Sequence, residues 1–261
     1  MFRQSKSKND LYNLYRYGKK IKVVYFKSGK IPNSDKKRNY VSDKKGNSNS
    51  SERFESSISR TRSTIYELAL CNEFEYFVTL TLNAEKRDRF ALSNFSKDFG
   101  QFVRNQNKKR SEGQKIEYLI IPEQHKDGAW HAHGLIKGLT RDDLKRNTKG
   151  YLDWFEYSKR FGFFSCSPIK SHEACCKYIT KYVTKDVKKS TDLQAGAHSY
   201  FASQGLQRRE MLDRFAFGQN LLFDRFGTWD FENDYVKIMW LKIKENGVVK
   251  DRLEVSEILD T

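Results

Sequence analysis

The stretch IEYLIIPEQHKDGAWHAHGLI, residues 116–136, decides the fold. IEYLIIP (116–122) is rich in β-branched and aromatic residues and reads as a buried strand, and WHAHGLI (130–136) reads as the next one. Between them, Lys126-Asp127-Gly128 has hairpin-loop composition, with glycine last, where a left-handed conformation is needed. A three-residue loop of this kind pairs His125 with Ala129 and Glu123 with His131. A two-residue Asp127-Gly128 loop would instead pair Glu123 with Ala132 and turn the carboxylate to the opposite face. Residues i and i+2 of a strand share a face, so His131 and His133 project together. The first register gathers Glu123, His131 and His133 on one face of an antiparallel sheet. Two imidazoles and a carboxylate with open positions suit Mg²⁺, Mn²⁺ or Zn²⁺. His125, at the loop tip, is a second-choice ligand.

Outward from this hairpin, YFVTLTL (76–82) reads as a buried strand. LSNFSKDFGQFVRNQ (92–106) carries apolar residues at helical spacing. FGFFSCSPI (161–169) is strand-like and ends at Pro168. SHEACCKYITKYVTKD (171–186) reads as a helix with Ser171 as its N-cap. The order strand, helix, strand, strand, strand, helix predicts an α+β fold: a ferredoxin-like, RRM-like antiparallel sheet with helices on one face. IKVVYF (21–26) is a further short strand. Near the C-terminal end, YVKIMWLKIKENGVVKDRLE (235–254) holds two strand-like runs around Asn246-Gly247, a hairpin signal.

On the 171–186 helix, Tyr178, Lys181, Tyr182 and Lys185 fall within an arc of about 100°. A phenol with a pKa of about 10 is a poor nucleophile at neutral pH. A nearby ammonium favours the phenolate and can neutralise phosphate charge. Tyrosines four residues apart also fit simple amphipathic packing, and from the helix alone both readings stand.

The chain has 261 residues and a formal net charge of +16, long enough to bury a substantial core. Residues 1–62 carry 17 Lys and Arg against 5 Asp and Glu, so most of the excess positive charge sits on this quarter. Aromatics (Tyr12, Tyr15, Tyr17, Tyr25) are interleaved with its bases. This predicts a basic, partly flexible arm that contacts nucleic acid, with Lys19, Lys20, Lys22, Lys36, Lys37 and Arg38 as candidate contacts. SDKKGNSNSSERFESS (42–57) is too poor in apolar residues to order itself and reads as a linker. The domains expected are the arm (1–62), a catalytic domain (63–190) and a C-terminal extension with a hairpin (191–261). No apolar run approaches the roughly 18 residues of a membrane span. MFRQSKSKND lacks the apolar run of a secretory signal, and no G-x-x-x-x-G-K-[ST] string is present. Cys71, Cys166, Cys175 and Cys176 are not spaced as a disulfide framework, which suggests a reducing compartment. Cys166, His172, Cys175 and Cys176 fit no standard zinc pattern and are expected to be structural. Trp130 is expected in the core, with base stacking as its alternative role.

Taken in order, the strand YFVTLTL, the H-x-H strand with an upstream Glu and the doubled Y-x-x-K helix resemble the HUH endonucleases. The resemblance is to the two-tyrosine rolling-circle replication initiators of single-stranded DNA phages and related plasmids, and it spans about residues 74–190. Phe77 to Thr81 match the first motif. Glu123, His131 and His133 match the metal motif, and Tyr178 and Tyr182 with Lys181 and Lys185 match the nucleophile motif. The resemblance implies an HUH core, a Mg²⁺ or Mn²⁺ cofactor and nicking of single-stranded origin DNA. It implies a 5′-phosphotyrosine intermediate, a free 3′-hydroxyl primer and later rejoining of the strand. Its implied partners are a host helicase and DNA polymerase, in the cytoplasm of a bacterial host cell and away from membranes. A relaxase or single-strand transposase of the same superfamily is an alternative, as is a non-catalytic module binding single strands.

Overall fold

The computed structural model of the protein describes residues 10–27, 50–183, 199–217, 228–244, 247–250 and 253–255. In chain order the first elements are β1 (Asp10–Tyr17), β2 (Lys20–Phe26), α1 (Ser50–Cys71), β3 (Tyr76–Leu82), α2 (Leu92–Asn107), β4 (Glu117–Gln124) and β5 (Trp130–Lys137). They are followed by β6 (Leu144–Arg146), β7 (Leu152–Trp154), α3 (Phe155–Arg160), β8 (Gly162–Pro168) and α4 (His172–Ile179), which a 3₁₀ turn extends over Thr180–Val183. The last strands are β9 (Phe201–Ala202), β10 (Glu210–Phe217), β11 (Phe231–Glu232), β12 (Val236–Lys244), β13 (Gly247–Lys250) and β14 (Leu253–Val255). The chain divides into two compact units, Asn49–Gln207 and Met1–Ser48 with Arg208–Thr261. The fold is α+β with antiparallel sheets, compatible with a ferredoxin-like core.

In the unit Asn49–Gln207 the strands lie in the order β6-β7-β8-β3-β5-β4-β9, every pairing antiparallel. Alternation along each strand sorts residues between two faces. On β3 the even residues Val78, Leu80 and Leu82 are buried, as are Phe164 and Cys166 of β8 and Ala132 and Ile136 of β5. These pack with Phe95, Phe99, Phe102 and Val103 of α2 and with Trp154, Tyr157 and Phe161 around α3. Burying each large ring contributes about 1.5–3 kcal/mol, so this stripe fixes α2 against the sheet. The odd residues point to the other face. There α1 and the 3₁₀ turn after α4 meet β4, and Leu119, Ile121 and Leu135 are buried. Helices thus lie on both faces of this sheet. At Gly134 a Cβ would fall 2.2 Å from Cδ1 of Ile120 and 2.8 Å from the carbonyl oxygen of Leu119, so only glycine lets β5 and β4 pack here.

The other unit is a sheet in the order β10-β1-β2-β12-β13-β14, with β11 on β12. The 21–26 strand is present as β2, and the expected hairpin near 246 is present as β12 and β13, with Lys244 opposite Gly247. Its core is Tyr12, Leu14, Ile21, Val23, Tyr25, Met239 and Leu241. The expected basic arm is therefore divided. Residues 10–26 are sheet strands paired with residues some two hundred positions away, and α1 begins at Ser50, inside the stretch expected to be a linker. Tyr12, Tyr17 and Tyr25 are buried, which withdraws those rings from base stacking. Among the described residues no helix is long and apolar enough to cross a membrane.

Candidate active site

The hairpin adopts the three-residue register. The His125 N–H donates to the Ala129 carbonyl at 2.8 Å, the Gly128 N–H donates to the His125 carbonyl at 3.0 Å, and Gly128 has φ +87°. Asp127 closes the turn by accepting from the Ala129 N–H at 3.0 Å. Glu123 consequently pairs with His131, and three donor atoms converge. Oε2 of Glu123 lies 3.0 Å from Nε2 of His131 and 3.0 Å from Nε2 of His133, and the two Nε2 atoms are 3.2 Å apart. This is a candidate metal-binding triad.

The triangle tests the fit to a cation. Adjacent ligands of an octahedral ion are separated by √2 times the bond length, so edges of 3.0 and 3.2 Å correspond to bonds of about 2.1–2.3 Å. A tetrahedral ion with the same edges would need bonds of about 1.8–2.0 Å, shorter than typical zinc–imidazole bonds. Nδ1 of His133 lies 3.2 Å from Oγ1 of Thr79, its partner across β3 and β5. For Nε2 to offer its lone pair to a cation, Nδ1 must carry the proton and donate it to this hydroxyl, which sets both tautomer and ring orientation. Burial, and behind it the neighbouring His131, push the His133 pKa down to about 4, with Glu123 opposing. At neutral pH the ring is therefore uncharged and its contact with Glu123 is not an ion pair.

The tyrosines arrive on α4. Ser171 caps this helix through the Ala174 N–H, at 3.4 Å. Nε2 of His172 lies 3.0 Å from the carbonyl oxygens of both Ala69 and Asn72, tying the start of α4 to the end of α1. Cys176 Sγ is 3.7 Å from the same nitrogen. All four cysteines are thiols, and among the described residues they join no metal cluster. The expected helix turns into 3₁₀ at Thr180, whose hydroxyl donates to the Lys177 carbonyl at 2.7 Å. Tyr178 lies on the α-helical turn and Tyr182 on the 3₁₀ turn, yet the two phenols meet, Tyr182 donating to Tyr178 at 2.8 Å. The Tyr182 ring stacks on His133 with centroids 4.0 Å apart and planes at 24°. Phe77 supports both, 5.5 Å from Tyr178 and 6.3 Å from Tyr182. Lys181 Nζ lies 5.4 Å from the centre of the Tyr178 ring. Burial, the hydrogen bond to Tyr178 and the charge of Glu123 push the Tyr182 phenol well above its usual pKa.

Glu123, His131, His133, Tyr178, Lys181 and Tyr182 thus share one site. Residues 75–187 match a family of replication-associated proteins, the ORF2 type. That stretch is under half of the chain and contains the whole site. The similarity to this replication-associated family points to DNA replication. No curated protein and no solved structure matches the chain.

The remaining candidates are dispersed. His125 stacks on His131 at 3.9 Å but is not part of the triad. Lys19 is exposed in the β1–β2 turn, and Lys20 is half-buried on β2. Lys22 lies 5.5 Å over the Trp240 ring, with its pKa lowered by burial and by Arg209. Lys36, Lys37, Arg38 and Lys185 lie outside the described residues. Trp130 is buried, as expected for a core residue. Thr79, the hydrogen-bond partner of His133, is a site residue that the sequence reading misses. Its signal is the strict alternation of YFVTLTL, which puts Phe77, Thr79 and Thr81 on one face once the strand pairing is known.

Proposed function

We propose that the chain is a rolling-circle replication initiator that nicks and rejoins single-stranded origin DNA through a tyrosine. The observation that carries this reading is the stacking of Tyr182 on His133: it brings a pair of hydrogen-bonded phenols against a ring that also belongs to a convergent His/His/Glu triad. The donor spacing favours a six-coordinate cation such as Mg²⁺ or Mn²⁺, held by Glu123, His131 and His133. When bound, that ion supplies Lewis acidity to a non-bridging oxygen of the scissile phosphate.

The chain's own groups account for the rest. Tyr178 is the first nucleophile: it is 45% exposed and accepts the Tyr182 hydrogen bond. Its oxygen forms a bond to phosphorus, the bond from phosphorus to the 3′-oxygen breaks, and that oxygen leaves as a protonated 3′-hydroxyl primer. Lys181 offsets charge beside the attacking phenol. Tyr182 cleaves the regenerated origin after one round, and the new 3′-hydroxyl displaces the first tyrosine to close the circle. The catalytic domain corresponds to residues 63–190, with host helicase and polymerase doing the unwinding and synthesis. The similarity to a replication-associated family favours an initiator over a relaxase or transposase.

The test is a denaturing gel of protein mixed with origin-bearing single-stranded DNA and Mn²⁺. Wild type should form a covalent adduct and each single Phe variant, Tyr178→Phe or Tyr182→Phe, should retain some. The double variant should form none while still folding. An adduct in the double variant, mapped to another residue, overturns the assignment.

A further inference from the structure

We infer that Phe163 is a base-stacking platform for single-stranded DNA, holding a base beside the phosphate that the triad receives. The inference rests on the proposed function and assigns one of its subsites.

Strand register places the ring. Phe163 of β8 pairs with Thr81 of β3, Thr81 pairs with His131 of β5, and His131 pairs with Glu123 of β4. Directly paired residues share a sheet face, so the row Phe163, Thr81, His131, Glu123 lies on the site side. With strands about 4.8 Å apart, Phe163 stands two strands, or about 10 Å, from His131. The neighbouring Phe164 is fully buried on the opposite face, whereas Phe163 is 43% exposed. The core therefore has its phenylalanine, and the second ring is left on the open part of the site face.

A single exposed apolar residue is ordinary on a protein surface. Three further features distinguish this one. Its site-face neighbours Thr81 and Ser165 are small hydroxyl residues that leave room above the sheet. Lys159 and Arg160, both exposed, immediately precede the strand and supply cations for a phosphate backbone. Gly162 fixes the approach: a Cβ there would lie 2.4 Å from the Thr81 carbonyl oxygen and 2.5 Å from the Asn83 nitrogen. The backbones of β8 and β3 are therefore in contact beside Phe163, which holds the ring in a set position. A flat, rigid aromatic beside cations, in line with the candidate metal site, matches what an unstacked base requires, because every base offers a π-face. A duplex, whose bases face inward, would gain nothing from it.

The experiment uses the full chain in EDTA, where cleavage is off, with a dye-labelled oligothymidylate read by anisotropy. Phe163→Ala should weaken binding about 5- to 100-fold, the range that loss of one stacked base carries. Phe163→Leu, which keeps apolar bulk and the fold, should weaken it similarly, and Phe163→Tyr should bind within a few-fold of wild type. Phe163→Trp should show fluorescence quenching on DNA addition beyond that of wild type. Ala and Leu variants that bind as tightly as wild type would overturn the inference, as would equal losses on duplex DNA. If wild type forms the tyrosine adduct but these variants bind normally, stacking fails and the nicking reading stands. If no adduct forms but the Phe163 losses are seen, nicking fails and the platform stands.

Discussion

Loss of a single ligand should collapse the thermal stabilisation that Mn²⁺ confers, by an amount that can be worked out in advance. The donors already stand 3.0 to 3.2 Å apart, so binding requires little rearrangement. A ligand that binds only the folded state stabilises by RT ln(1 + [L]/Kd), about 2.7 kcal/mol at one hundred times Kd. For a unit the size of Asn49–Gln207, each kcal/mol moves the melting temperature by about 2–4 °C, so wild type should gain about 5–11 °C. Removing one of three ligands by His131→Ala, if it weakens affinity about 100-fold, leaves only about 0.4 kcal/mol and a shift near 1 °C. Thr79→Val removes the partner of His133 Nδ1 but no ligand. A loss of about tenfold, typical of outer-shell partners, leaves about 1.4 kcal/mol and an intermediate shift. The assay is differential scanning fluorimetry at one Mn²⁺ concentration against EDTA, on the three proteins in parallel. A His131→Ala/His133→Ala protein with the full wild-type shift would show that Mn²⁺ binds elsewhere and refute the triad as a metal site.

Two further perturbations test the fold and the basic segment. Gly134→Ala should destabilise the protein by about 1–3 kcal/mol in urea unfolding, because the new methyl lands 2.2 Å from Cδ1 of Ile120; an unchanged midpoint would contradict the packing of β5 on β4. Lys19→Gln with Lys20→Gln should flatten the slope of log affinity for single-stranded DNA against log salt by about 1.4, and an unchanged slope would remove both lysines from the DNA contact.

The parts of the site legible in the sequence are those that local rules fix. YFVTLTL has the bounds of β3, and the loop Lys126-Asp127-Gly128 sets the register that brings Glu123 opposite His131. Both follow from alternation and turn chemistry within twenty residues. What is not legible depends on partners far along the chain. Tyr12 and Tyr25 read as rings available to bases, but β2 pairs with β12, over two hundred residues away, and that pairing buries them. The first turns of α1 carry SSERFES, with no apolar stripe to announce a helix; its buried residues start at Ile58. In FGFFSCSPI the adjacent Phe163 and Phe164 are indistinguishable until pairing with β3 assigns one to the core and the other to the open face. The spacing over 171–186 predicts one α-helical pitch throughout, whereas the hydroxyl of Thr180 helps tighten the chain into 3₁₀ geometry where Tyr182 must turn toward His133.

The two faces of this sheet link stability to chemistry. Val78, Leu80 and Leu82 hold β3 in the core, and their alternation leaves Phe77, Thr79 and Thr81 no alternative to the site face. A slip of one residue would move three buried side chains into the site and withdraw the partner of His133, so the core penalty enforces the functional register. The same holds on β5, where Ala132 and Ile136 are buried while His131 and His133 face outward. Imidazoles could otherwise be brought together in many ways; here they are positioned by residues that never touch DNA. Conservative changes at Leu80 or Ala132 should therefore disturb the site as much through register and strand position as through stability. Changes at Thr81 or Ser165, on the site face and outside the core, should leave folding intact and alter only what the sheet can bind.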